Sequence, residues 1–144
     1  MLRFAVLAAA ILVSADQALA NGHGGSSEPA PPTADAQTSP ARVTITKKGP
    51  RLVDLKGMTL YYYERDTSGK TSSCDGKCIE SWIPLAAPKD AKAVGDFTVI
   101  TRNDGSKMWA YRYRPLYTSP ADKAPGDTNG NATTLQWRIA RPDE

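Results

Sequence analysis

Histidine is almost missing from this chain: a single one, His23, occurs in 144 residues, beside only two cysteines, Cys74 and Cys78. So little imidazole and thiol leaves no nucleophile paired with a base and no three-ligand metal set. A glycine loop of the phosphate-cradling kind is also missing. Long hydrophobic runs are scarce as well. The one candidate, Phe4 to Val13, is too short to span a bilayer. Nor does either charge dominate, since 18 Lys and Arg face 15 Asp and Glu for a net charge of +3. The densest basic spots, Lys47-Lys48 and Arg112 to Arg114, do not amount to a nucleic-acid arm.

The front of the chain has a different purpose. Arg3, the apolar stretch Phe4 to Val13 and the small residues Ala18-Leu19-Ala20 have the three-part layout of a secretory signal peptide, expected at residues 1–20 and cleaved after Ala20. The protein is therefore expected in the periplasm or outside the cell, with an unknown envelope component as its partner and no transmembrane helix in the mature chain. No cysteine stands near the cleavage point to take a lipid, so no lipid anchor is expected. Residues 21–41 are rich in Pro, Ala, Ser and Gly and poor in apolar mass, the composition of a disordered tether. Residues 42–142 remain, about 100 residues, enough to bury a core.

Within them the dominant pattern is an alternation of two. Val43 to Lys47 reads as a strand up to the break at Lys48-Gly49-Pro50. Arg51 to Asp54 and Met58 to Glu64 predict a hairpin turning at Gly57. Phe97 to Arg102 and Lys107 to Arg112 predict a second one around Asn103-Asp104-Gly105-Ser106. The period places Trp109, Tyr111 and Tyr113 on one face, expected to be buried, opposite Met108, Ala110 and Arg112. Leu116-Tyr117 and Leu135 to Ala140 predict further short strands, and Asp75 to Trp82 the one short helix, stopped before Pro84. The fold class is mostly β: a small antiparallel domain with long loops.

Two related units, at about 52–88 and 97–141, account for most of it. Tyr61, Tyr63 and Asp66, followed by Cys74, Cys78 and Trp82, return in shorter form as Tyr117, Asp122 and Trp137. Two such units imply one duplicated fold. Asp66 before Gly69 and Asp122 before Gly126 predict turns capped by the carboxylate rather than a catalytic pair. Trp82 and Trp137 predict paired plugs in the core.

These residues carry a resemblance. Tyr61-x-Tyr63-x-x-Asp66, then CDGKC, SWIPL, GDFTVITRNDGSKMWAY, PLY and PGDTNG before Trp137, resemble the bacterial secreted-repeat family, described as predicted lipoproteins with a Yx(FWY)xxD motif. The likeness runs from Leu52 to Pro142. It implies an envelope or secreted location and a duplicated β-rich domain, with no established activity. The chain departs from the pattern at Ser119, where the second motif copy would have an aromatic. Tyr113 likewise stands where Gly before Pro-Leu-Tyr is usual.

In an oxidising compartment Cys74 and Cys78 predict one disulfide closing Asp75, Gly76 and Lys77. So short a loop contributes on the order of 2 kcal/mol at most. Their three-residue spacing is not that of a C-x-x-C oxidoreductase. Two thiolates with Met58 or Met108 could hold Cu(I), yet the folded part has no histidine to complete the set. Copper has a second route. A chain starting Asn21-Gly22-His23 offers an α-amine, two amides and an imidazole, the square-planar set that Cu(II) and Ni(II) prefer. Asp127 to Asn131 faintly resembles a calcium loop but ends in Arg138 where Glu is required. The expectation is a non-catalytic envelope module without a cofactor, with copper binding at Asn21 to His23 as the alternative.

Overall fold

The computed structural model describes residues 38–132 and 135–143. The signal-peptide and tether expectations, and with them Asn21, Gly22 and His23, fall almost wholly outside the described residues.

The described chain is mostly β, in antiparallel sheets. A hairpin of β1 (Ala41–Thr46) and β2 (Gly49–Asp54) comes first. The first strand stops before Lys48-Gly49-Pro50, as expected; Lys47 and Lys48 form the turn, and Gly49-Pro50 opens β2, with Ile45 opposite Pro50. The predicted pairing across Gly57 is also present in outline. Val53 bridges Thr59, and Gly57 takes a φ of 86° that permits the bend.

β3 (Tyr61–Tyr63), β4 (Ile83–Pro84), β8 (Tyr117–Thr118) and β9 (Trp137–Ile139) form the central sheet in the order β4-β8-β3-β9. β5 (Phe97–Thr101), β6 (Lys107–Tyr111) and β7 (Arg114–Pro115) form the third sheet. In the central sheet, strands of the first repeat (β3, β4) alternate with strands of the second (β8, β9). Each repeat therefore finishes its sheet with a strand from the other.

Two matching rings of backbone hydrogen bonds carry this exchange. Leu60 N–H donates to Leu52 O at 3.0 Å, Leu52 N–H to Ala140 O at 2.8 Å, and Ala140 N–H to Leu60 O at 2.8 Å. In the other half Leu116 donates to Trp109 at 3.0 Å, Trp109 to Leu85 at 2.9 Å, and Leu85 to Leu116 at 2.8 Å. Ala140 belongs to the second repeat and Leu85 to the first. Neither ring closes within one repeat.

The central strands are buried on both faces. Leu60 and Tyr62 pack with Leu52, Phe97, Trp109, Tyr111 and Leu116 on one side. On the other, Tyr61 packs with Cys74, Trp82, Met108, Ala110, Tyr117 and Trp137. This corrects the expectation for β6. Its Met108 and Ala110 are as buried as Trp109 and Tyr111, because cores lie on either side of it.

Tyr113 is not buried with them; it is 71% exposed. Arg112 (φ 45°) and Tyr113 (φ 67°) form the left-handed corner between β6 and β7, which swings the ring out to solvent. The first repeat has Gly57 at the matching corner. Left-handed backbone is unfavourable for a residue with a Cβ. Tyr113→Gly is accordingly expected to stabilise the domain by about 0.5–1 kcal/mol after the flexibility of glycine in the unfolded chain is counted. A thermal melt with a lowered midpoint would contradict this.

The predicted helix shrinks to one turn, α1 (Cys78–Ser81). A disulfide between Cys74 and Cys78 holds Gly76 at φ 57° just before it, and Trp82 leaves it in extended conformation to enter the core.

Candidate functional site

The motif residues converge at the middle of the central sheet, where Tyr61 of β3 lies opposite Tyr117 of β8. Pairing two equivalent residues places an approximate two-fold axis between the repeats. Each tyrosine then reaches across that axis. Tyr61 donates to Asp122 Oδ2 at 2.7 Å, and Tyr117 donates to Asp66 Oδ2 at 2.6 Å. Both rings are fully buried, as are both aspartates to within a few per cent.

The second carboxylate oxygen of each aspartate caps its own loop. Asp66 Oδ1 accepts from the backbone N–H and hydroxyl of Ser73, at 2.7 and 2.5 Å. Asp122 Oδ1 accepts from Asn129 N–H at 2.7 Å, again seven residues on. The turn-capping expectation is thus half of what these groups do; the other half is the bond to the tyrosine of the opposite repeat. The phenolic oxygens are themselves acceptors. Ser72 Oγ donates to Tyr117 (2.6 Å), whose only proton is committed to Asp66, and Gly130 N–H donates to Tyr61. Burial first, and the bonded carboxylate second, push both phenols well above their ordinary range. The hydroxyls stay protonated at any physiological pH.

Around these pairs lies a stack of rings. Trp82 and Trp137 are parallel at 3.8 Å, Tyr63 lies on the free side of Trp137 at 4.5 Å, and Tyr61 and Tyr117 meet the two indoles edge-on. The paired plugs predicted from the repeat are in direct contact. Ser119, where an aromatic would match Tyr63, sits against Gly130; a Cβ added there would lie 2.8 Å from the Tyr61 ring and 2.9 Å from Ser119. The second repeat fills this volume with backbone instead of a ring.

The disulfide loop is pinned from outside. Arg102 donates to Cys74 O at 2.9 Å and to Asp75 at 2.8 Å, while Asn103 reaches the other oxygen of Asp75 at 2.6 Å. Both sulfurs are engaged in the disulfide itself, so a Cu(I) thiolate pair would first require reduction. Among the described residues no group of three or more His, Cys, Asp and Glu could hold a metal ion. Asp127 is spent on turn amides, accepting from Lys123 and Ala124.

Sequence reading missed Ser72, Ser73, Asn129, Gly130 and Arg102. A signal for two of them was present: Ser73 and Asn129 follow their aspartates at the same distance. Arg102 carried none, since its partners are distant in the chain.

Among known proteins, a family profile described as a secreted repeat of unknown function matches residues 42–86 and 98–141. No curated protein and no solved structure is a match to the chain. No helix among the described residues is long and apolar enough to cross a membrane.

Proposed function

Because the chain belongs to the family of secreted repeats of unknown function, we propose that it is a non-catalytic module of the cell envelope, periplasmic or released, that works through its surface and needs no resident cofactor. One observation carries this reading: the residues that define both repeats are turned inward and bonded to one another. The hydroxyls of Tyr61 and Tyr117 donate across the two-fold to Asp122 and Asp66, and all four side chains are almost fully buried. A catalytic group has to touch a substrate. Among the described residues the bonds of these groups run within the fold, which leaves recognition to the exposed side chains.

The test is complementation of a deletion strain at a temperature where the variants are folded. Tyr61→Phe and Tyr117→Phe, which remove one hydroxyl each and keep the rings, are expected to complement fully. Loss of function in a variant that is folded and abundant would mean that the hydroxyls do chemistry, and would overturn the reading.

A further inference from the structure

At the tip of the β1–β2 hairpin the surface opens into a cavity of about 360 Å³, lined by Thr46, Lys47, Lys48, Arg51, Thr128 and Arg141, with Gly49 and Gly126 in its wall. Four basic residues line it and, among the described residues, no carboxylate does. By contrast, the apolar groove beside Leu55 includes Asp54 and Asp90, and the one beside Val43 includes Asp96. None of these four cations takes part in the salt bridges among the described residues, which join Arg102, Arg112 and Arg138 to acids elsewhere.

Among the described residues the hydrogen bonds of the two guanidinium groups go to main-chain carbonyls. Arg51 donates one nitrogen to Gly126 O at 3.1 Å, and Arg141 donates one to Pro50 O at 2.9 Å and Lys48 O at 3.2 Å. Those bonds fix the groups without neutralising them. Arg51 Nε is buried and has no hydrogen-bond partner among the described residues, an orphaned donor of the kind native proteins rarely leave. The glycines make room: a Cβ on Gly49 would approach Arg141 Nη1 to 3.1 Å, and both Gly49 (φ 97°) and Gly126 (φ 101°) adopt backbone that other residues avoid. The parts come from three regions, with Arg51 bonded to a carbonyl 75 residues away and Arg141 to one 93 away. Only the folded body assembles them.

We propose that this cavity is a binding site for a phosphoryl group. Concentrated positive charge with no carboxylate in the described lining selects an anion. Planar guanidinium forks anchored at one nitrogen present their remaining donors to tetrahedral oxygens, and the lysines add mobile charge at the rim. The site rests on the surface-working reading above and gives it a ligand chemistry, shared by free phosphates and by phosphate-bearing headgroups of the envelope.

The experiment uses the purified secreted protein at 0.15 M salt, with inorganic phosphate and pyrophosphate as soluble probes and phosphatidylglycerol vesicles as the membrane probe. Binding is followed by calorimetry, by co-sedimentation and by the rise in Tm that a native-state ligand produces. Arg51→Gln/Arg141→Gln is expected to weaken binding by at least about tenfold. Lys47→Gln/Lys48→Gln, altering only exposed turn residues, is expected to weaken it about fivefold. Lys56→Gln/Lys70→Gln, with the same loss of charge elsewhere, should bind as wild type. Soluble probes binding would assign free phosphates, and vesicles alone would assign headgroups; either supports the site if the first two variants weaken binding as stated and the third keeps it. Should the arginine variant fail to fold, the Lys47/Lys48 variant decides, and unchanged binding there overturns the site. No binding of any probe by wild type, or equal loss in the Lys56/Lys70 variant, also overturns it. That failure would leave the complementation result untouched, so the two readings stand or fall separately.

Discussion

Separated from one another, fragments 38–88 and 89–144 are each expected to be unfolded, and to regain structure on mixing. The expectation follows from the sheet order β4-β8-β3-β9. Alone, the first fragment leaves β3 without either neighbour and β4 without β8, and its ring of hydrogen bonds lacks Ala140. The second fragment lacks Leu85 in the same way. Trp82 and Trp137 would each lose the partner plane now 3.8 Å away. A domain's net stability is only about 5–15 kcal/mol. Removing half of a two-sided core takes away far more apolar burial than that, at about 25 cal/mol per Å². The readout is near-ultraviolet circular dichroism: flat for each fragment, with a tryptophan signal appearing on equimolar mixing because the stack draws one indole from each. A cooperative melt in either fragment alone would show that a repeat folds by itself and that the exchanged strands are dispensable.

The second large effect is expected at Asp66. Asp66→Ala removes the acceptor for Tyr117 OH, for Ser73 N–H and for the Ser73 hydroxyl together, at a residue that is only 6% exposed. Hydrogen bonds to charged groups contribute roughly 1.5–3 kcal/mol each and do not add fully, so the loss should be on the order of 4 kcal/mol. Asp122→Ala should cost less, since Asp122 serves Tyr61 OH and Asn129 N–H only. Tyr117→Phe should cost about 2 kcal/mol, and the double variant Asp66→Ala/Tyr117→Phe less than the sum, with a coupling of roughly 1–2 kcal/mol. Urea denaturation of wild type and the four variants measures this. Additive losses, or a larger effect at Asp122 than at Asp66, would show that the bond across the axis is not what holds the repeats together.

Fold class was legible because it depends on local pattern. Alternation in Lys107–Tyr111, the Asn-Asp-Gly-Ser turn and the glycine at residue 57 each specify a conformation within a few residues. The corner at Arg112 and Tyr113 was not, since nothing in a Tyr announces left-handed backbone; the tight link from β6 to β7 imposes it. Nor was the helix length, which the disulfide loop truncates at Cys78.

By itself the sequence determined that the chain is β-rich and duplicated, that its tyrosines, aspartates and tryptophans recur in order, and that its two cysteines are near enough to join. Only the tertiary structure decided which copy answers which. Two equal motifs offer each tyrosine two equivalent aspartates, so no local feature distinguishes a bond within a repeat from one across the axis. The choice belongs to the exchanged strands, whose pairing buries both faces of the sheet at once. The same folding brings Arg51 and Arg141 to the lysine turn, a meeting that no spacing along the chain could foretell.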